Sequence, residues 1–410
     1  MDTETDMTDA TVTPSPSRVD PGFIEEILQP LVQFDTENPP GNELEAAKFT
    51  AAWLEKAGFT CSLSQSAPGR GNVIAVLEGE RPGPTLLLNG HLDTQPIARD
   101  SGWTVDPIGG EIRGERIYGR GTGDMKSGVA AMMAAGAAFA KGGTDFAGRL
   151  VLLASADETS GGYLGVGAVL DELRVLKPDF AVVCEPTPLG IGLGARGCCW
   201  VKLAITGRPG QAGKAHTGIN AIAVAGDMIV ELGRDLPASF PNGRSKYLPE
   251  PSFNFGGIAG GIKPNVIAQH VELIIDRRVT VRETADEVLA AVKAVVEPVA
   301  ARWNAKVEAT VDLFVPACEL EETSPLVAHC RDAFTAVTGD AIGLTGAGGF
   351  TDAHFFMHDL GVPALNFGPW LRTVHPSGSN SDIPDEFGLI PEIVDGARVY
   401  ERLIGEILAR

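Results

Sequence analysis

Apolar residues in the first half of the chain occur mainly in short, nearly continuous runs. Three of these runs are TLLLNGH, RLVLLASAD and DFAVVCEPT, and such runs are typical of strands that are buried on both faces of a sheet. Helical patterns lie between them, including NELEAAKFTAAWLEKAG and SGVAAMMAAGAAFAK. This alternation predicts an α/β fold with a mostly parallel sheet that is covered by helices on both faces.

The pattern changes after Glu185. The segments GCCWVKLAITGR, PSFNFGGIAGG and HVELIIDRRVTV alternate apolar and polar residues as half-exposed strands do, and two amphipathic helices accompany them. The first pattern returns near residue 314, which predicts an α/β domain interrupted by a smaller α+β insert. The predicted limits are 1–20 for a disordered tail, 21–192 and 314–410 for the α/β domain, and 193–313 for the insert.

Composition narrows the class of protein. The 410 residues carry a net charge of −20, which argues against a nucleic-acid partner or an anionic membrane surface. No apolar run reaches the roughly 18 residues of a membrane-spanning helix. The acidic N-terminus lacks the basic start and apolar core of a signal peptide, and the six cysteines show no CxxC spacing. These features predict a cytoplasmic protein with reduced thiols.

Acidic and imidazole side chains follow the apolar strands at the points where the strands end. His91 and Asp93 close one strand, Glu158 and Glu185 follow two others, and Asp124 opens a helix after a glycine-rich turn. Open α/β sheets bind ligands at the carboxyl edge of their strands, so these groups are expected at one rim. Asp93 lies on the same strand face as His91 and can accept a hydrogen bond from its second ring nitrogen.

Each of these residues taken singly has a plain structural explanation, such as a helix cap for Asp124 or an ordinary loop residue for Glu185. Taken together they do not, because carboxylates crowded at one sheet edge repel one another. Divalent cations would relieve that repulsion. The α/β domain is therefore predicted to bind metal and to carry the catalytic site.

The order of these motifs and the residues within them closely resemble those of one family. The chain contains, in order, GHLDT, GRGTGDMKSG, an Asp–Glu pair, EPT, GARG, GGFTDAHFF and a late histidine, His375 in RTVHPSG. This series is similar to that of the co-catalytic zinc peptidases and amidohydrolases, which include aminoacylase, acetylornithine deacetylase, succinyl-diaminopimelate desuccinylase and the glutamate carboxypeptidases. The resemblance covers about residues 22–408.

The resemblance implies a set of metal ligands. Asp124 would bridge two metals, with His91 and Glu185 completing one site. His375 and a further carboxylate would complete the other, although the loop HPSGSNSDIPDE that follows His375 is longer than usual for the family. The implied metal is zinc, with one or two ions per chain and with cobalt or manganese as alternatives.

The turn that should carry the general base departs from the family pattern. The family usually has Asp-Glu-Glu here, and this chain has Asp157, Glu158 and Thr159. In one register Glu158 is the base that moves a proton from water to the leaving amine, and Thr159, a poor zinc ligand, replaces a carboxylate. In the other register Asp157 is the base and Glu158 is the ligand. The first is favoured, because the following Gly-Gly spacing fits it without a gap.

The insert is implied to be a lid and dimerisation domain, so a homodimer is expected. Asn265 in GGIKPNVI and Arg278 in IIDRRVTV match positions that hold the substrate's carboxylate, although without the resemblance Arg278 is more simply explained as an exposed cation at a strand end. Gln211 stands where the family has a histidine that stabilises the oxyanion across the dimer. His216, five residues further on, is the alternative for that role.

The resemblance thus predicts a metal-dependent hydrolase of an amide C–N bond. Its substrate would be a small N-acyl amino acid or a dipeptide-like molecule with a free carboxylate, and Glu158 and Asp93 would be the catalytic residues. The alternative is the same fold with altered or lost hydrolytic chemistry, because Thr159 and Gln211 replace expected residues.

Overall fold

A computed structural model describes residues 17–187, 190–369 and 383–409 of the protein. Most of the predicted tail and His375 lie outside these ranges. The helices are α1 Gly22–Gln33, α2 Leu44–Lys56, α3 Lys126–Ala140, α4 Leu170–Leu176, α5 Ala221–Asp235, α6 Ala285–Arg302, α7 Pro325–Thr338 and α8 Ile390–Ile407. The strands are β1 Thr60–Ala67, β2 Arg70–Glu78, β3 Arg81–His91, β4 Glu111–Arg113, β5 Arg116–Tyr118, β6 Ala147–Ser155, β7 Phe180–Val183, β8 Gly190–Ala195, β9 Gly197–Thr206, β10 Ser252–Gly260, β11 His270–Val279, β12 Lys306–Val315, β13 Cys318–Glu319, β14 Gly343–Ala347, β15 Ala364–Asn366 and β16 Phe387–Leu389.

The largest sheet has the order β1-β2-β6-β3-β7-β15-β8-β13, and β14 also pairs with β8. Its centre, β6-β3-β7-β15, is parallel, and β1 and β2 extend it in the antiparallel sense. This confirms the predicted α/β fold. The antiparallel flank was not predicted, because β1 (TCSLSQSA) is mostly polar and partly exposed and does not show the pattern of a buried strand.

Both faces of the central strands are buried, as their continuous apolar runs indicated. Leu86 and Leu88 of β3 belong to the core under α1, α2, α3, α7 and α8. Leu87, the residue between them, belongs to a second core on the opposite face, together with Leu173 of α4. Successive strand residues point to opposite faces, so an uninterrupted apolar run requires cover on both sides.

A separate four-stranded antiparallel sheet, β10-β11-β9-β12, is built from residues 197–315. Alternate residues of its strands, such as Val201 and Leu203, pack against α5 and α6 in a core of their own. This sheet has the half-buried pattern that the sequence indicated. A small third sheet has the order β16-β5-β4. In the described ranges, no helix has the length and apolar character needed to cross a membrane.

Candidate active site

Neighbouring parallel strands bring acidic and imidazole groups to one edge of the large sheet. His91 is the last residue of β3 and lies in register with Ser155, the last residue of β6. β3 also pairs in parallel with β7 on its other side. Glu158 and Glu185 come shortly after β6 and β7, so the chain direction of three adjacent strands places all three groups at the carboxyl edge.

Asp124 reaches the same edge from the start of a helix. It precedes α3, which packs along β3 and β6. A Cβ atom at Gly128, in the first turn of α3, would lie 2.0 Å from the carbonyl oxygen of Cys184. Only glycine permits this close approach of the helix to the end of β7, and the approach places Asp124 beside Glu185.

A buried carboxylate from the C-terminal part of the chain holds the turn ahead of Asp124. Glu386 accepts hydrogen bonds from the backbone N–H groups of Gly121 at 2.9 Å and Gly123 at 2.7 Å, and from the guanidinium of Arg120 at 2.8 Å. Glu386 is a site residue that the sequence motifs did not reveal. Its only signal was its place at the end of the long loop HPSGSNSDIPDE.

The imidazole of His91 lies among three carboxylates. Its Nε2 is 3.2 Å from Asp124 Oδ1, 3.6 Å from Glu158 Oε2 and 3.6 Å from Glu185 Oε1. One ligand atom each from His91, Glu158 and Glu185 lies within 4.8 Å of the others. These three residues are buried, whereas the Asp124 side chain is 35 % exposed. The cluster therefore offers nitrogen and carboxylate oxygen donors with one side open to solvent, a donor set that suits a divalent metal ion.

The burial of this cluster perturbs its protonation. Burial, together with the neighbouring carboxylates, raises the pKa of Glu158 and of Glu185 well above the usual range. Burial alone would lower the pKa of His91, but its hydrogen bonds to Asp124 and Asp93 and the charges of Glu158 and Glu185 raise it well above its usual value. Burial is the larger cause for the two glutamates and repulsion between carboxylates adds to it, and a divalent cation would offset that repulsion.

Asp93 is fully buried behind His91. One carboxylate oxygen accepts a 3.0 Å hydrogen bond from the N–H of Glu158. The other accepts from the N–H and hydroxyl of Thr159, at 3.0 and 2.7 Å, and from the side chain of Asn38 at 2.9 Å. The Nδ1 of His91 lies 2.9 Å from the carbonyl oxygen of Asp93 and 3.5 Å from its carboxylate. Burial alone would raise the pKa of Asp93, but these hydrogen bonds outweigh it and lower the pKa.

Glu158 is the residue of the 157–159 turn whose side chain faces the cluster. Asp157 points away from it, with one oxygen 2.9 Å from the guanidinium of Arg70 and the other accepting a 2.9 Å hydrogen bond from the N–H of Leu164. The hydroxyl of Thr159 also points away, toward Asp93. Of these three side chains, Glu158 is therefore the one at the metal-binding atoms, a position that suits either a general base or a metal ligand.

A second buried carboxylate near the cluster, Asp352 in GGFTDAHFF, was missed as a site residue. Its Oδ2 accepts a 2.9 Å hydrogen bond from the hydroxyl of Ser155, and its charge contributes to the raised pKa values of Glu158 and Glu185. Burial raises the pKa of Asp352 itself to about 7. The signal that could have revealed it is the polar residue Ser155 at the buried end of an apolar strand.

The residues predicted in the insert lie in two places. Gln211, His216 and Asn265 are exposed. An isolated antiparallel β-bridge pairs Gln211 with Val266, the residue after Asn265. Arg278 is half-buried on β11, 2.8 Å from Asp276, with its guanidinium 5.9 Å from the ring centre of Phe350.

Phe350 precedes Asp352 by two residues, so Arg278 adjoins the loop that leads to the cluster. The contacts found for Gln211, His216 and Asn265 within the described ranges do not reach the cluster. His375 lies outside the described residues, as does any contribution it makes to a second site.

An α/β sheet with a buried imidazole–carboxylate cluster at its carboxyl edge is the arrangement of a metallohydrolase. Sequence comparison identifies which kind. Residues 87–406 match Peptidase family M20/M25/M40, and the chain belongs to this family. It is therefore a metal-dependent hydrolase that acts on C–N bonds, as the resemblance of its motifs predicted.

Curated relatives of this chain include succinyl-diaminopimelate desuccinylases of several bacteria. Succinyl-diaminopimelate desuccinylase 2 of Ruegeria sp. (strain TM1040) is 30 % identical over 388 residues, which cover 92 % of this chain and 93 % of the relative. The succinyl-diaminopimelate desuccinylase of Psychrobacter arcticus is 28 % identical over 369 residues, covering 87 % of this chain and 88 % of the relative.

Solved structures of the same fold include several peptidases. An M20 family metallo-carboxypeptidase from Sulfolobus solfataricus has a TM-score of 0.77 at 18 % identity, covering 93 % of this chain and 98 % of that one. A tripeptidase from Staphylococcus aureus has a TM-score of 0.76 at 20 % identity, with 96 % and 100 % coverage. A dinuclear metal-binding peptidase of the M20 family from Bacillus subtilis has a TM-score of 0.65 at 16 % identity, with 95 % and 99 % coverage.

Proposed function

We propose that this protein hydrolyses the amide bond of a small N-acyl amino acid or dipeptide-like substrate that carries a free carboxylate. The observation that carries the proposal is the position of Glu158, whose carboxylate lies 3.6 Å from the imidazole of His91 within a set of metal-binding atoms. Relatives over most of the chain are succinyl-diaminopimelate desuccinylases, and structural neighbours include dipeptidases and carboxypeptidases. These names support a substrate with an N-acyl or peptide bond next to a carboxylate.

The proposed metal is zinc, with cobalt or manganese as alternatives. His91, Asp124 and Glu185 would hold one ion, and His375 with Asp124 would contribute to a second. The described residues fit the first ion, because their nitrogen and oxygen donors converge in a buried cluster and because a cation would offset the repulsion between the carboxylates. When bound, such a cation supplies Lewis acidity that polarises the scissile carbonyl and lowers the pKa of water.

Glu158 is proposed to act as the general base. In its ionised form, the buried Glu158 carboxylate takes a proton from the attacking water and returns it to the leaving amine. Asp93 fixes the orientation of His91 and accepts hydrogen bonds from the backbone N–H groups of Glu158 and Thr159. Arg278 would bind the substrate's carboxylate, because guanidinium groups bind carboxylates in a two-pronged geometry, and Asn265 would assist it.

The insert, with proposed limits 193–313, would act as a lid and as the dimerisation domain of a cytoplasmic homodimer. Several large apolar residues of this segment are exposed, including Ile258 at 56 % and Ile262 at 92 %, and contact with a second subunit would cover such residues. In that dimer Gln211 would supply an uncharged hydrogen-bond donor to the oxyanion, with His216 as the alternative.

Altered or lost hydrolysis is the competing proposal. The observation in its favour is that Thr159 binds Asp93 and leaves no carboxylate at that position for a second ion. In that case the protein would bind one ion and its ligand without normal turnover.

The test combines metal analysis with hydrolysis. The purified protein, with and without added Zn²⁺, Co²⁺ or Mn²⁺, is assayed against N-succinyl and N-acetyl amino acids and dipeptides. Glu158→Gln is expected to lower kcat by about 100-fold or more, the usual contribution of a general base, with metal content unchanged. Glu172→Gln, an exposed glutamate on α4, is the matched control. A protein that binds no metal, or a Glu158→Gln variant with full activity, would refute the proposal.

A further inference from the structure

We propose that Arg70 is a positioning residue for hydrolysis, which orients the Glu158 side chain by binding Asp157. The inference rests on the proposed role of Glu158 as general base. It concerns a residue on β2 that contacts the 157–159 turn through Asp157 and has no contact with the metal-binding atoms among its described partners.

The guanidinium of Arg70 is held from several directions at once. It lies 2.9 Å from Asp157 Oδ1, 2.8 Å from Glu43 Oε2 and 3.2 Å from the carbonyl oxygen of Pro40. Arg70 is 5 % exposed and Glu43 is fully buried. The Asn38 side chain lies between this group and the site, because its amide oxygen is 3.4 Å from Arg70 while its amide nitrogen donates to Asp93 at 2.9 Å.

The loop ahead of α2 packs directly on this guanidinium. A Cβ atom at Gly41 would lie 2.2 Å from Arg70 Cζ, and Gly41 has φ of +81°. Both the missing side chain and the left-handed backbone are therefore required for the loop to close over Arg70. The guanidinium occupies a pocket shaped for it, which limits its freedom to move.

Asp157 is the link between this pocket and Glu158. Its backbone has φ of +69°, in the left-handed region that non-glycine residues adopt only when their surroundings impose it. Its carboxylate contacts Arg70 and the N–H of Leu164, with Asn38 Nδ2 3.4 Å from the oxygen that faces Arg70, and its carbonyl oxygen accepts from the N–H groups of Ser160 and Gly162. The left-handed residue turns the chain so that the next side chain, Glu158, faces His91.

The turn is thus anchored on both sides of the general base. The Asp93 carboxylate accepts hydrogen bonds from the N–H groups of Glu158 and Thr159. Arg70 forms an ion pair with Asp157. A buried ion-pair network is a weak source of stability, because desolvation offsets most of the attraction. A network with defined geometry, on a strained residue next to a general base, is instead suited to fixing a side-chain direction.

The experiment compares Arg70→Gln with Leu77→Ala, a core substitution further along the same strand that does not touch the turn. Leu77→Ala reports what a loss of stability alone does to activity, and the two variants are compared at equal distance below their Tm. Arg70→Gln is expected to lower kcat by about 10- to 100-fold, the effect of a small misplacement of a catalytic group, with KM changed by less than about twofold. Arg70→Lys should recover part of the loss.

Two further measurements separate positioning from a general structural role. Asp157→Asn should give a similar loss, and the double variant Arg70→Gln/Asp157→Asn should be no worse than either single variant, because both act on one contact. In the metal-free protein, amide hydrogen exchange of the 157–164 segment should be faster in Arg70→Gln and unchanged in Leu77→Ala. This second measurement does not depend on catalysis.

The inference is overturned if Arg70→Gln keeps its kcat, if its loss equals that of Leu77→Ala, if the two single losses multiply, or if exchange in the 157–164 segment is unchanged. Glu158→Gln, assayed in parallel, distinguishes this failure from failure of the proposed function. An inactive Glu158→Gln beside a fully active Arg70→Gln rejects only the role of Arg70. An active Glu158→Gln rejects the base assignment on which that role depends.

Discussion

The hydroxyl of Thr159 donates a 2.7 Å hydrogen bond to the carboxylate of Asp93, the buried residue directly behind His91. Thr159 occupies the position where related sequences were expected to carry a second metal-binding carboxylate. Its side chain points away from the metal-binding atoms and toward the group that orients one of them. The substitution therefore removes a ligand from one proposed metal position and adds support to the other.

Replacing Thr159 by valine tests this support. The change keeps the side-chain shape and removes the hydroxyl, so Asp93 loses a hydrogen bond worth about 1.5–3 kcal/mol to a charged acceptor. Because residues that orient a ligand typically contribute about 10- to 100-fold to metal affinity, the affinity should fall by about tenfold. Thr159→Ser keeps the hydroxyl and should bind metal normally. Competition with a chelator gives both affinities, and equal values for the two variants would contradict the assignment.

Replacing Thr159 by glutamate tests the second metal position. The new carboxylate cannot lie against the ionised Asp93 without repulsion, so it should turn toward Asp124. Metal analysis after dialysis should then show more metal per chain than in the natural protein. Thr159→Gln has the same length without the charge and serves as the control. A metal content that does not rise with glutamate would show that this position does not complete a site.

Glu43 gives a pH-dependent prediction. Burial, and then the charge of Asp93, raises its pKa to about 7 despite the nearby Arg70. In an unfolded chain the pKa of glutamate is about 4.3. Between about pH 4.3 and pH 7, Glu43 therefore keeps a proton in the folded protein that it has released in the unfolded chain. The contribution of Glu43 to the free energy of unfolding therefore falls as the pH rises through this window, by up to about 4 kcal/mol.

Glu43→Gln removes this dependence. The free energy of unfolding of Glu43→Gln minus that of the natural protein should be larger at pH 8 than at pH 5. The variant is therefore expected to be relatively more stable at the higher pH. Urea unfolding of the metal-free proteins at the two pH values measures this difference. Glu55→Gln, an exposed glutamate on α2, controls for the loss of one negative charge. A difference that does not change with pH would show that Glu43 titrates in its usual range.

Glu386 gives a prediction for the turn before Asp124. Its carboxylate accepts hydrogen bonds from two backbone N–H groups and forms an ion pair with Arg120. Glutamine has one acceptor oxygen and no charge, so it can replace only some of these interactions. Glu386→Gln should therefore misplace Asp124 and lower metal affinity by about 10- to 100-fold. Glu406→Gln, which removes a surface ion pair with Arg402, should leave affinity unchanged. Metal titration of both variants provides the comparison, and an unchanged affinity in Glu386→Gln would refute the role.

Much of the α/β framework could be predicted because its strands are buried on both faces. Leu86, Leu87 and Leu88 enter two different cores, and a strand in that environment must be apolar at every position. The antiparallel strand β1 could not be predicted, because its pairing with β2 comes from backbone hydrogen bonds at the sheet flank that leave no apolar pattern. The local pattern of apolar residues indicates which faces of a strand are buried, but not which strand it pairs with.

The sequence by itself determined the chemical content of the site. His91, Glu158 and Glu185 had to meet, because parallel strands end at the same sheet edge and each residue follows the end of a strand. The tertiary structure alone decided the directions of neighbouring side chains. Within the three residues Asp157, Glu158 and Thr159, one side chain faces Arg70, one faces His91 and one faces Asp93. Those directions depend on partners from β2, from the end of β3 and from the residues just after β3, all distant in the chain, so no local pattern encodes them.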